Sequence, residues 1–165
     1  MYLKISIFFA GLLFLSACAY QPMERADSTN TGNAESGTTS SNLGAITPGS
    51  ENDFVANVGD RVFFDYDKAS LSAEAQATLS AQAKWLTRYP ATVILVEGHC
   101  DERGTREYNL ALGARRANAV RDFLISQGVD SNRIDTISYG KERPAALGNS
   151  DEVYSQNRRS VTVVR

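Results

Sequence analysis

The only histidine of this 165-residue chain, His99, stands beside one of its two cysteines, Cys100, and Asp101, Glu102 and Arg103 follow directly. Three kinds of chemistry suit such a cluster: metal ligation, a thiol nucleophile with its base, or the grip of a charged ligand. The first two need side chains that converge. His99 and Cys100 continue an apolar, β-branched run, "TVILVEG" from Thr92 to Gly98, which reads as a strand covered on both faces. Neighbours on a strand point to opposite faces. A closed zinc site takes four protein ligands and an open one three, and there is no second His and no Cys-x-x-Cys. A Cys–His dyad needs its base within hydrogen-bond reach of the thiol, which adjacent strand residues do not offer. No metal, cofactor or catalytic residue is therefore expected. His99 is expected to be a polar group hydrogen-bonded near a strand end, and Cys100 a small buried apolar one.

Asp101 is different. It follows the strand end, where the chain turns toward a helix, and in open α/β sheets ligands gather at such carboxyl ends. The helix that follows spans about Arg106 to Gln127, with Thr105 as N-cap and Gly128 as its C′ stop. Its apolar stripe is defined by Leu112, Ala119, Val120 and Phe123, and Arg116 falls near the middle of it. A buried arginine needs an opposite charge or a ligand. Two readings stand: a structural ion pair with Asp101 or Asp65, or a guanidinium aimed at an anionic ligand. Asp101 and Arg116 together would suit a zwitterion, the carboxylate holding an ammonium group and the guanidinium a carboxylate.

Other elements must position this pair. "RVFFD", Arg61 to Asp65, reads as a short strand. A helix with Leu71, Ala75, Leu79, Ala83 and Leu86 on one face follows and stops at Pro90. Arg133 to Gly140 and Ser160 to Arg165 read as two more strands, joined by a long polar connection. The pattern is βαβαββ, an α+β or α/β sandwich with helices packed on a sheet. The last two strands are close in sequence and are expected to run antiparallel, which makes the sheet mixed.

Ahead of this domain, expected over residues 53–165, the composition changes twice. Ile5 to Leu15 is almost wholly apolar after Lys4. A run of about 11 residues is too short for a hydrocarbon core that needs about 20, and it fits a secretory signal over residues 1–17. "LSAC", Leu15 to Cys18, resembles a bacterial lipobox, so Cys18 is expected to carry lipid. The alternatives are a signal cleaved after a small residue and an uncleaved anchor. Ala19, where such lipoproteins carry Asp for retention in the inner membrane, fits the outer membrane. Residues 18–52 are rich in Ser, Thr, Gly and Asn and bury too little to order themselves. They read as a disordered tether with a root-mean-square span of roughly 30–35 Å. With Cys18 lipidated, Cys100 has no partner in the chain and no internal disulfide forms. The formal charge is −2, a balance that gives no reason to expect nucleic acid.

"VEGHCDERGTREYNLALGARRANAVRDFL", Val96 to Leu124, resembles the signature of the OmpA-like peptidoglycan-binding domain family. "FFDYDKASL" before it, and "SYGKERPAALG" with "NRRSVTVV" after it, resemble the same family. The resemblance implies a non-enzymatic module that holds the peptide stem of peptidoglycan non-covalently, through the zwitterionic free end of its diaminopimelate residue. It implies Asp101 and Arg116 as the key ligand-binding residues, Thr105, Asn109 and Leu112 as pocket lining, and Phe64 and Asp65 as the strand end whose main chain closes the pocket. Cys100 replaces the Ala or Thr common in the family, and a small residue still fits. The resemblance further implies a lipoprotein that ties the outer membrane to the wall in envelope integrity and cell division, with the Tol proteins, above all periplasmic TolB, as partners. Two rivals remain: a wall-modifying enzyme, which would need an acid or nucleophile in the pocket, and an OmpA-like lipoprotein outside the Tol system.

Overall fold

The structure is a computed structural model and describes residues 46–165. The expected signal, Cys18 and all but the end of the expected tether lie outside the described residues.

Among the described residues four α-helices and four strands follow one another as α1 (Glu51–Asn57), β1 (Arg61–Phe63), α2 (Ala73–Arg88), β2 (Ile94–His99), α3 (Arg106–Ser126), β3 (Ile134–Gly140), α4 (Asp151–Asn157) and β4 (Arg159–Val164). Each helix opens on a hydroxyl cap. Ser50, Ser72, Thr105 and Ser150 accept from the backbone N–H three residues on, meeting donors that the helix leaves free. Gly128 closes α3 with φ +94°, where a side chain would be strained.

The sheet order is β1-β4-β2-β3. β2 and β3 run parallel, bridged by α3, and β4 lies antiparallel to both β1 and β2. The sheet is therefore mixed, as expected. The last two strands run antiparallel, as expected, but are not neighbours: β4 inserts between β1 and β2, and β2 separates it from β3. The short β1 and the less buried β3 take the edges, and the better-buried β2 and β4 take the centre.

Two helices escape the sequence pattern. α1 begins at Glu51, two residues before the expected domain start. Phe54 is fully buried with its ring edge-on to Trp85, and the Trp85 indole donates to Asp53 Oδ2 at 2.9 Å. α4 lies inside the stretch expected to be a long polar connection. It has no apolar stripe. Buried Asn157 holds it instead, accepting from Ala145 and Ala146 N–H and donating to the Ala146 carbonyl.

The core lies where α2 and α3 meet the sheet. Leu79, Leu86, Ile94, Val96, Val120 and Leu124 are each fully buried, and each contributes roughly 1.5–3 kcal/mol of transfer free energy. Gly98 and Gly113 let β2 and α3 touch backbone to backbone: a Cβ on Gly98 would lie 1.9 Å from the Gly113 carbonyl oxygen. That contact sets the following turn of α3, and with it Arg116, against the end of β2.

Candidate functional site

The chain stays fastened to β3 as far as Cys100, whose N–H donates to the Gly140 carbonyl at 2.8 Å. Asp101 then emerges at the carboxyl end of β2, only 4% exposed. Its Oδ1 accepts from the Arg103 backbone N–H at 3.2 Å and from Arg103 Nε at 3.3 Å. Its Oδ2 accepts from Arg103 Nη2 at 2.6 Å and from Arg158 Nη1 at 3.4 Å. Burial works against the charge on Asp101, but the hydrogen bonds from Arg103 outweigh it and hold the carboxyl below its usual range.

Arg103 is itself held in place. Its guanidinium lies 4.1 Å from the ring centre of Tyr66 and 4.4 Å from that of Tyr154, at cation–π distance from both. The Tyr154 hydroxyl donates to Glu102 at 2.8 Å, and Lys141 Nζ donates to the carbonyls of Glu102 and Gly104. The loop from Asp101 to Thr105 is thus braced by α4 and by the segment after β3. Asn109 braces it from the helix side, its amide donating to the carbonyls of Arg103 and Thr105 at 2.8 and 3.1 Å. That leaves the Asn109 side-chain oxygen as its group for a ligand.

Arg116 is 1% exposed in the middle of the buried stripe of α3. The stripe itself is Asn109, Leu112, Gly113, Arg116, Ala117, Val120 and Leu124, and Ala119 and Phe123 sit at its half-buried margin. Arg116 donates to three main-chain carbonyls: Lys68 through Nε at 2.9 Å, His99 through Nη1 at 2.8 Å and Asp65 through Nη2 at 3.1 Å. The Phe64 ring centre lies 5.1 Å away. The Asp65 carboxylate turns outward to Lys68 Nζ, and Asp101 is taken by Arg103 and Arg158. Carbonyl dipoles therefore hold a full positive charge in place without neutralising it. Burial lowers the Arg116 pKa from its ordinary value, yet a guanidinium does not deprotonate in proteins, and two of its five N–H groups remain for a ligand.

Asp101, Thr105, Asn109, Leu112 and Arg116 line one cavity of about 400 Å³. Phe64 and Asp65 do not share it. Their side chains line a neighbouring cavity of about 530 Å³, and the Asp65 main chain reaches the site through Arg116. The cavity also takes in Tyr66, Asp67, Cys100, Arg103 and Tyr108, four of them with no part in the expected ligand set and Cys100 expected only as packing. Asp67 carries φ +57°, a conformation uncommon outside glycine, and its carboxylate accepts from the Tyr108 hydroxyl. The positions of Tyr66 and Asp67 just past the Phe64–Asp65 strand end, and of Arg103 two residues past Asp101, were the available sequence signals.

His99 and Cys100 diverge, as strand neighbours should. Cys100 is 3% exposed, with its thiol donating to the Asn109 carbonyl on α3, and burial raises its pKa. His99 is 1% exposed beside Tyr139, with Nε2 at 3.4 Å from Glu97. Its Nδ1 has no partner among the described residues, so only one ring nitrogen is bonded as expected. Burial, with Arg159 nearby, pushes its pKa down to about 4, so it is neutral at pH 7.

The model of the OmpA family matches residues 63–158. The chain belongs to the OmpA family. The match begins on β1 and ends at Arg158, the second arginine on Asp101, so it encloses every residue that lines the cavity. Among OmpA-family relatives, the chain is 64% identical over 121 residues to the peptidoglycan-associated lipoprotein of Rhizobium meliloti (strain 1021), covering 73% of this chain and 69% of that one. It is 50% identical over 100 residues to the protein of the same name from Haemophilus influenzae, covering 61% and 65%. The fold matches the crystal structure of the peptidoglycan-associated lipoprotein from Burkholderia pseudomallei with a TM-score of 0.63 at 44% identity, over 64% of this chain and 90% of that one. It also matches the C-terminal domain of Helicobacter pylori MotB, with a TM-score of 0.60 at 26% identity, over 64% and 84%.

Proposed function

We propose that this OmpA-family domain binds peptidoglycan without chemistry, holding the diaminopimelate of the peptide stem by its zwitterionic end. One observation carries the reading: a buried carboxylate, Asp101, and a buried guanidinium with no carboxylate partner among the described residues, Arg116, line one cavity. Asp101 receives the ligand ammonium. The two remaining N–H groups of Arg116 receive its carboxylate, and the Thr105 hydroxyl and Asn109 side-chain oxygen lie along the same wall. The names of the relatives, peptidoglycan-associated lipoproteins, support the same reading.

In this reading residues 1–17 are a signal peptide, Cys18 carries the lipid, and a tether runs to the folded domain. The lipid holds one end in the outer membrane and the domain holds the wall from the periplasm. Among the described residues no helix is long and apolar enough to cross a membrane. TolB is the partner, with the domain serving the Tol-Pal system in envelope integrity and cell division.

The test is co-sedimentation of the protein with diaminopimelate-type peptidoglycan, with and without free diaminopimelate as competitor. Asp101→Ala and Arg116→Ala should each weaken sedimentation about tenfold or more. Unchanged sedimentation in both variants would remove the site assignment, and release of soluble wall fragments would replace binding by catalysis. Capture of TolB by the wild-type protein tests the partner separately.

A further inference from the structure

The four acceptor sites of the Asp101 carboxylate are all taken by donors among the described residues. A carboxylate offers about four lone-pair sites, and here they receive the N–H, Nε and Nη2 of Arg103 and Nη1 of Arg158. The two arginines approach from different sides. Arg158 lines the neighbouring cavity and is fastened by Nε to the Phe64 carbonyl at 3.0 Å. Arg103 lines the Asp101–Arg116 cavity itself. Asp101 and Arg103 both line that cavity, so a cation that binds Asp101 there competes with the Arg103 guanidinium. The Arg103 side chain is 34% exposed and so has an outward path. The rings of Tyr66 and Tyr154 flank it, so a guanidinium that releases Asp101 stays at the rim.

We propose that Arg103 is a specificity-determining residue: an internal cation that occupies Asp101 until a ligand brings an ammonium group to replace it and a carboxylate to receive it. The inference rests on Asp101 accepting a ligand ammonium. A simple amine exchanges one ion pair at Asp101 for another and leaves the displaced guanidinium unpaired, close to the buried charge of Arg116. An amino-acid terminus carries its carboxylate into the same cavity, where both guanidinium groups can meet it in fork geometry. The site therefore selects ligands with ammonium and carboxylate on one carbon and refuses amines that lack the carboxylate.

The experiment is calorimetric titration of the full chain with meso-diaminopimelate and with cadaverine, the diamine left when both carboxylates are removed. The wild type should bind diaminopimelate and bind cadaverine far more weakly. Arg103→Gln should bind cadaverine about tenfold tighter than the wild type does, with the preference for diaminopimelate reduced by a similar factor. Arg103→Lys, which keeps a cation at the rim, should restore much of that preference. An unchanged preference in Arg103→Gln, or a parallel loss of both ligands, overturns the proposal and makes Arg103 a mere support of Asp101. Loss of diaminopimelate binding in Asp101→Asn separates these outcomes from failure of the site reading. An Asp101→Asn protein that binds as the wild type does overturns both.

Discussion

Asp101 and Arg116 line the same cavity, yet neither bonds to the other. Every hydrogen bond of the Asp101 carboxylate comes from Arg103 or Arg158, and those of Arg116 go to the carbonyls of Lys68, His99 and Asp65. A direct ion pair would consume both charges. Separate supports leave opposite charges facing one space, the arrangement a zwitterion needs.

Arg116 should matter to folding as well as to binding. Arg116→Ala leaves three carbonyls without their donor beside a new cavity, and about 3 kcal/mol or more of stability should go. Arg116→Lys keeps the charge but has no planar fork, so wall binding should fall about tenfold with a smaller stability loss. Urea unfolding beside co-sedimentation separates the two effects, and equal binding by Arg116→Lys and wild type would remove the need for a fork.

Asn157 should affect binding from outside the cavity. Its side chain ties α4 to the segment at Ala145 and Ala146. α4 in turn carries Tyr154, which holds Glu102 and flanks Arg103. Asn157→Ala should lower stability by about 1–3 kcal/mol and weaken wall binding several-fold in protein that remains folded. Binding at wild-type strength would show that the loop from Asp101 to Thr105 keeps its shape without α4.

His99 should make the domain sensitive to acid. Its folded pKa is about 4, against an ordinary 6.5, through burial first and then the nearby Arg159. The unfolded chain therefore takes up a proton near pH 6.5 that the folded chain refuses until about pH 4. The stability from this group is complete above pH 6.5, falls as pH drops toward 4 by up to about 3 kcal/mol, and changes no further below that. The lowered carboxyl of Asp101 acts in a separate window, its contribution being lost only as pH falls below 3.8. Urea midpoints across this range should slope for the wild type and flatten between pH 6.5 and 4 in His99→Gln.

Cys100 should resist alkylation in the native protein. It is 3% exposed, its thiol is engaged by the Asn109 carbonyl, and burial raises its pKa, so little thiolate is present near pH 7. A thiol reagent should label it only as denaturant unfolds the domain. Rapid labelling of the native chain would show that the cavity, which Cys100 lines, opens deeply to solvent.

The parts legible in the sequence are those carried by local pattern. The helical period places Arg116 in the buried stripe of α3, Thr105 and Gly128 bound that helix, and the β-branched run before His99 makes β2. α4 was illegible because seven residues held by Asn157 show no apolar period. The strand order was illegible because neighbours in sequence need not be neighbours in a sheet, and the burial of β4 rather than its proximity to β3 decides its place.

By itself, then, the sequence determined that a charged residue must be buried at position 116 and that an acid must stand at the mouth of β2, since both follow from spacing along single elements. Only the tertiary structure decided what holds them. Arg158 reaches Asp101 across 57 positions, Arg116 reaches the Asp65 carbonyl across 51, and Tyr154 reaches Glu102 across 52. Contacts at that separation leave no periodic trace in a chain. They exist because the Gly98–Gly113 contact and the insertion of β4 bring distant segments to one end of the sheet.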